Sequence, residues 1–321
     1  MRRRALLAGA LALPLAGCTT TEEDPTAKLW HAGELTIGTG NTTGVFYQLG
    51  AAYADLINQH LAGFDATAAP SGGSVDNLQR LGTGDVDVAF TLAVVADDAY
   101  QGINLWASQP QPLRALAHTY DNYEHVIVRV DSGITTVAGL KGHKISLGSP
   151  NSGSDLLGRR LLSAAGLDPA RDVTVVSMSL PQTTAAILDG SIHAMIWSGG
   201  LPTPGIKNMF QKADGAVQFV KIQDMPDKIN EAYPNLLGKS TIPKDAYGLT
   251  ADVPTLTDAN LIVVHADMPD DLAYQLTKLV FDFHGELVQV TPAAAAIRRD
   301  LGPMTEPVPL HPGAQRFYGA R

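Results

Sequence analysis

Short stretches rich in Gly, Ser, Thr and Asn follow apolar, strand-like runs at residues 38–44, 71–74, Thr91 onward, 149–154, 177–184 and 198–204. Their side chains are neutral donors and acceptors: Asn41, Thr42 and Thr43 before Gly44, then Ser71 and Ser74, Thr91, and Ser152, Gly153 and Ser154. No Lys or Arg stands in any of these loops. Ligands of open α/β sheets sit beyond the carboxyl ends of the strands, where helices begin. Backbone N–H groups at a helix start, with hydroxyl and amide donors beside them, suit a carboxylate held without a cationic side chain. The same residue types cap helices and form tight turns, so capping and binding both remain open for each. Tyr47 offers a hydroxyl or a core contact, and Trp197, at the end of a strand-like run, offers a stacking face.

Motifs for catalysis are missing. No Ser sits in G-x-S-x-G, and the nine histidines include no H-E-x-x-H or other close metal-ligand spacing. Gly238-Lys239-Ser240 resembles the end of a phosphate-binding loop, but Tyr233 stands where the first glycine belongs. Thr43 replaces the third glycine of a dinucleotide fingerprint. The reading is a binding protein with no catalytic residue, no metal and no cofactor.

The loops need elements to hold them. Leu35 and Ile37 alternate as in a half-buried strand, and Val45, Leu49, Ala52, Tyr53, Leu56 and Leu61 recur at helical spacing. Extended runs at 65–69 and 85–91 follow, separated by a short helix with Val75, Leu78 and Leu81. Further strands are expected at 113–117 and 126–130, divided by the polar Tyr120-Asp121-Asn122-Tyr123-Glu124. A second series has strands at 144–147, 173–176 and 192–197 and helices at 153–165, 181–188 and 206–211. After a strand at 261–264 come a helix over 272–283 and another from Pro292, and residues 307–321 hold too many prolines and glycines for regular structure. Strands alternating with helices predict an α/β fold with largely parallel sheets, and two such series predict two lobes.

The N-terminus reads differently. Arg2-Arg3-Arg4, the apolar run 5–16 and Leu15-Ala16-Gly17-Cys18 resemble a bacterial lipoprotein signal peptide with its lipobox, Cys18 being the residue to be lipidated. The adjacent arginines leave Sec and twin-arginine export both open. Cys18 is the only cysteine, which excludes an intramolecular disulfide, and the apolar run is shorter than the ~20 residues that span a bilayer. Removal of the three arginines leaves 20 basic against 32 acidic residues, a net charge of −12. That balance argues against a nucleic-acid partner and against general attraction to anionic lipid.

In their order the loops resemble those of solute receptors of the TAXI branch of TRAP transporters. The matching residues are Gly38-Thr39-Gly40, Gly44-Val45-Phe46-Tyr47, Leu49-Gly50, Ser71-Gly72-Gly73-Ser74-Val75-Asp76-Asn77, Leu140-Lys141-Gly142, Gly148, Ser152-Gly153-Ser154, Gly190, Ala194, Gly200-Leu201-Pro202 and His311-Pro312-Gly313-Ala314. The resemblance implies a two-lobed periplasmic-binding-protein type II fold, each lobe a mainly parallel sheet flanked by helices, joined by two hinge strands near 120–126 and 255–261. It implies a signal peptide over 1–17, a lipidated tether over 18–33, a first lobe of 34–122 with 258–321, and a second of 123–257. The implied protein is a periplasmic or extracytoplasmic, lipid-anchored monomer that takes a small anionic solute and partners a TRAP-type permease. An ABC-type receptor, a sensory ligand-binding subunit and a hydrolase on the same fold are the alternatives.

Three departures bear on the ligand. Leu92 and Val94 stand where relatives carry a polar pair, Phe46 replaces Tyr, and Thr43 replaces Gly. Without a carboxylate in the third-strand loop an ammonium group lacks its counter-charge there. The expected ligand is therefore a dicarboxylate, keto acid or hydroxy acid rather than glutamate, with any apolar part against Leu92 and Trp197. Arg159 and Arg160 are expected on the solvated surface, and Arg114 and Arg129 fall in strand-like runs.

Overall fold

The computed structural model describes residues 30–231 and 237–320, so Cys18, the signal segment and most of the tether lie outside the described residues. Strand β1 (Glu34–Gly38) enters the glycine-rich loop and α1 (Val45–His60) leaves it. β2 (Asp65–Ala69), α2 (Ser74–Thr83), β3 (Val88–Leu92) and α3 (Ala93–Gln101) complete the first series. After the long β4 (Leu113–Arg129), the second series is β5 (Lys144–Ser146), α4 (Gly153–Ala164), β6 (Thr174–Val176), α5 (Leu180–Asp189), β7 (Ala194–Gly199) and α6 (Pro204–Ala213). β8 (Val217–Phe219), α7 (Met225–Asn230), β9 (Leu237–Ile242) and β10 (Val253–His265) lead back, and α8 (Asp270–Asp282), α9 (His284–Val290) and α10 (Pro312–Gly319) pack on the first half.

The strands run in the order β2-β1-β3-β10-β4-β7-β5-β6, with β8 on β4 and β9 on β10. β1 pairs parallel with β2 and β3, and β5 parallel with β6 and β7. β4 and β10 pair antiparallel with each other and bind one parallel half on each side. This is a two-lobed α/β fold whose lobes share two crossing strands.

Four expectations are corrected here. The runs at 113–117 and 126–130 are one strand of 17 residues, the polar residues between them included. Asn122 and Glu124 lie in register with β10 and β7, so their polarity marks a passage between lobes rather than a turn. Likewise the strand expected at 261–264 begins at Val253. Residues 292–296 form a 3-10 turn rather than a helix, and the tail expected to be irregular holds α10. Pro312 occupies the first turn of α10, where its missing N–H is not needed, and the His311 imidazole accepts from the Gly313 N–H. β8, α7 and β9 were not foreseen from the periodicity.

One apolar cluster packs α1 with α8 and α9 against the first sheet half, and another packs α5 and α6 against the second. A third runs across the divide, joining Val75, Leu78 and Val95 of the first half to Leu157, Leu161 and Ile145 of the second. The lobes are therefore in contact, and polar bridges reinforce this. The Asp76 N–H donates to the Asn151 carbonyl at 2.9 Å, and the Gly205 N–H to the Thr43 carbonyl at 3.2 Å. Arg160 of α4 is buried and pairs with Asp98 of α3 at 2.5 Å, which corrects the surface placement expected for it. Arg159 is solvated and paired with Asp155.

Candidate functional site

The loops after β1, β2, β5 and β7 meet around a small cavity of about 40 Å³ at the junction of the lobes. The start of α2 supplies Gly72, Gly73 and Ser74, and the start of α4 supplies Ser152, Gly153 and Ser154. Two helix N-termini from opposite lobes thus face one space, and their dipoles add a positive potential there. A Cβ placed on Gly73 would lie 3.6 Å from Ser152, which measures how closely they approach. No residue lining the cavity is charged.

Each serine has a structural bond and a spare donor. Ser74 Oγ accepts from the Leu92 N–H at 3.0 Å, Ser154 Oγ from the Ser198 N–H at 2.9 Å, and Ser152 Oγ from the Asp155 N–H at 2.9 Å. A hydroxyl that accepts one bond keeps its own O–H to donate. The alternatives of capping and binding are thus compatible in one residue.

Trp197 lies flat among glycines. Its indole passes Gly44 and Gly148, and a Cβ on Gly199 would sit 2.5 Å from Nε1. That indole nitrogen is buried with no hydrogen-bond partner among the described residues, as is the Tyr120 hydroxyl. Both are donors awaiting an acceptor. Asn122 is oriented from behind, since Asn260 Nδ2 donates to its Oδ1 at 2.8 Å. That leaves the Asn122 amide N–H groups to face the cavity, which the residue lines.

Of the residues expected from the sequence, the structure brings Asn41, Gly44, Ser74, Ser152, Gly153, Ser154 and Trp197 to the cavity. Thr42, Thr43, Tyr47, Ser71 and Thr91 are outside its lining. Thr42 is exposed, because the loop turns it outward. Thr43 Oγ1 is buried near the start of α6, Ser71 Oγ accepts from the Gly73 N–H, and Thr91 is buried in β3. Asn41 also bridges the lobes: its Oδ1 accepts from the Leu180 N–H at 2.9 Å and its Nδ2 donates to Ser149 Oγ at 3.2 Å. Arg114 donates to the Leu113 carbonyl, and Arg129 pairs with Asp131 and reaches carbonyls at the end of α5, so neither faces the cavity.

Tyr120 and Asn122 were missed, and Ser198 was singled out only within the stretch 198–204. The signal at 120–124 was a polar stretch inside a strand, which in isolation reads as a turn.

Behind Trp197 a buried network fixes the wall. Nδ1 of His125 donates to the carbonyls of Tyr123 (2.8 Å) and Trp197 (3.2 Å), and Nε2 accepts from Tyr247 Oη at 2.7 Å. Tyr247 in turn accepts from the Thr203 N–H at 3.0 Å. Burial pulls the His125 imidazole down to about 4, against the two backbone bonds that favour its proton. An unfolded His titrates near 6.5, so the unfolded state binds the extra proton between about pH 6.5 and pH 4. Stability from this group is complete above that window and is lost as pH falls through it, by about 3 kcal/mol in all. Urea unfolding at a series of pH values should show a shallower acid-side slope for His125→Gln than for the unsubstituted protein; equal slopes would refute the assignment.

Among the described residues no group of three or more His, Cys, Asp or Glu could hold a metal ion, and no helix is long and apolar enough to cross a membrane.

Solved structures share this architecture. PhnD1 from Prochlorococcus marinus, in complex with methylphosphonate, aligns with a TM-score of 0.54 at 13% identity, over 83% of this chain and 92% of that one. A binding protein component of an ABC phosphonate transporter from Pseudomonas aeruginosa aligns with a TM-score of 0.53 at 14% identity, over 83% and 80%. The fold is that of the type II periplasmic binding proteins. The model of the NMT1-like family matches residues 37–319, a span that includes both lobes and every segment of the cavity wall. By that match the chain belongs to the NMT1-like family.

Proposed function

We propose that this chain is an extracytoplasmic solute-binding receptor that closes on a small organic anion and presents it to a membrane permease. The observation that carries the reading is the pair of helix N-termini from opposite lobes, ringed by hydroxyl, amide and indole donors around a cavity without a charged side chain. Such a site suits an acid group held by neutral donors, as at other helix starts. Nothing in it supplies a nucleophile paired with a base, so binding without chemical change is the favoured activity.

The lobes we assign are 34–122 with 258–321 and 123–257, with β4 and β10 as the hinge strands. The anion contacts both lobes only when they are closed, so its binding free energy shifts the population toward closure and the permease reads that shape. Cys18 is proposed as the lipid-bearing residue that keeps the receptor at a membrane.

Two permease classes are in play. The order of the loops supports a TRAP-type partner of the TAXI branch, and the structural neighbours, one of them a component of an ABC phosphonate transporter, favour the ABC-type alternative. In the second reading the solute is a phosphonate or sulfonate as readily as a carboxylate. A nucleotide-hydrolysing subunit encoded with the permease would mark the ABC class.

A thermal-shift panel of dicarboxylates, keto and hydroxy acids, glutamate, alkylsulfonates and alkylphosphonates tests the function and sorts the classes. A true ligand at one hundred times its Kd stabilises by about 2.7 kcal/mol, a rise of several degrees in Tm. A panel in which no anion raises Tm, with folded protein at the start, would reject the reading.

A further inference from the structure

Glu124 is a carboxyl that the binding site as described leaves unused. It follows Asn122 by two residues on β4 and so leaves the strand on the same face, and it stands directly across the ladder from Ser198 of β7. Both Asn122 and Ser198 line the cavity. Glu124 is 1% exposed, and neither carboxyl oxygen has a hydrogen-bond partner among the described residues; Ser198 Oγ is buried in the same state.

The surroundings give an ionised Glu124 little support. β10 contributes Asp258, itself buried, whose carboxyl burial also pushes up. Arg160 of α4, which pairs with Asp98 of α3, acts on Asp258 rather than on Glu124. An unpaired carboxylate at such a position carries a desolvation cost that a proton removes. Burial pushes Glu124 up to about 8; the Ser198 hydroxyl works against that rise and Asp258 adds to it.

We propose that Glu124 is a positioning residue that holds a proton, donates it as a hydrogen bond to Ser198 Oγ and so turns the Ser198 O–H into the cavity toward the anion. The inference rests on the receptor reading. Protonated, Glu124 makes Ser198 a donor to the solute. Ionised, it takes the Ser198 O–H for itself and places a negative charge behind the bound anion. The cleft then selects a fully ionised acid, and affinity depends on the protonation of a residue the solute does not touch.

Two measurements on the intact receptor separate this from its foundation. Infrared spectra with carboxyl-labelled glutamate, taken without solute near pH 7, should show a neutral-carboxyl band that Glu124→Gln removes and that fades as pH passes about 8. Calorimetric titrations with succinate and with methanesulfonate, both ionised throughout the range, should give a Kd that is flat below about pH 8 and weakens up to tenfold per pH unit above it. Glu124→Gln keeps a donor but cannot ionise, so it should bind at neutral pH within about threefold of the unsubstituted protein and show a flat profile. A missing band overturns the proposal, and so does a Glu124→Gln profile parallel to that of the unsubstituted protein. If the band is present but neither probe binds, the receptor reading fails for these acids and the role of Glu124 in ligand selection falls with it.

Discussion

An Asp98→Ala variant is expected to bind its solute at least a hundredfold more weakly than the unsubstituted protein, although Asp98 lies outside the cavity lining. Asp98 on α3 and Arg160 on α4 belong to different lobes, and their side chains are 1% and 8% exposed where they meet at 2.5 Å. Removing Asp98 takes from Arg160 the carboxylate it meets in the buried pair, and Asp97 and Asp258 also act on its charge, so the cost falls at the low end of the about 3–5 kcal/mol for breaking such a pair. That cost falls on the closed form alone. When the lobes part, Arg160 regains water, so the free protein escapes most of the penalty by opening. The substitution should accordingly appear in Kd, where about 3 kcal/mol is two orders of magnitude, more than in the Tm of the free protein. A second variant guards the interpretation. Asp98→Leu with Arg160→Met replaces the pair by apolar groups of similar size, which often restores or exceeds the original stability, and it should recover most of the affinity. If Asp98→Ala lowers Tm by several degrees and leaves Kd untouched, the pair is a fold element and not a closure contact.

Much of the site's framework is legible in the sequence because it depends on local rules. Val45 to Leu61 has a helical period, Leu35 and Ile37 alternate, and glycines with Ser or Asn mark the strand-to-helix turns after β1, β2, β5 and β7. These signals place Asn41, Ser74, Ser152 and Trp197 near the ends of strands, and a parallel α/β sheet brings such ends together. What the sequence hides is set by distant partners. The stretch 120–124 looks like a turn because its polar residues break an apolar run, yet β10 and β7 give Asp121, Asn122, Tyr123 and Glu124 register partners and carry the strand through, past an irregularity beside Tyr120. Arg160 reads as a surface residue until Asp98, 62 positions away, meets it. The absence of a carboxylate from the loop after β3 is visible at Leu92 and Val94, but Glu124 and Asp258, buried in the crossing strands, are not. Their environment, unlike their identity, is a property of the folded molecule.

Closure is also where a single methyl group should have a large effect. Gly72 lies in the loop before α2, and a Cβ built there would stand 2.5 Å from the carbonyl oxygen of Pro150 in the opposite lobe. The obstacle is backbone, which cannot rotate aside as a side chain could. Beside it, the Asp76 N–H donates to the Asn151 carbonyl at 2.9 Å, so any retreat of the 150–151 segment would also break a bond across the cleft. Gly72 itself is not in the left-handed region, so alanine fits its backbone and should leave the first lobe folded. Overpacking of this kind costs about 1–3 kcal/mol and again falls only on the closed state. Gly72→Ala is expected to weaken solute binding roughly 10- to 100-fold with the Tm of the free protein nearly unchanged. In small-angle scattering it should stay expanded at solute concentrations that compact the unsubstituted protein. Gly285→Ala, where a Cβ meets nothing within 4 Å, is the matched control and should bind normally. If Gly72→Ala compacts and binds like the control, the lobes do not need this contact to trap their solute, and the proposed closed form is not the one that binds.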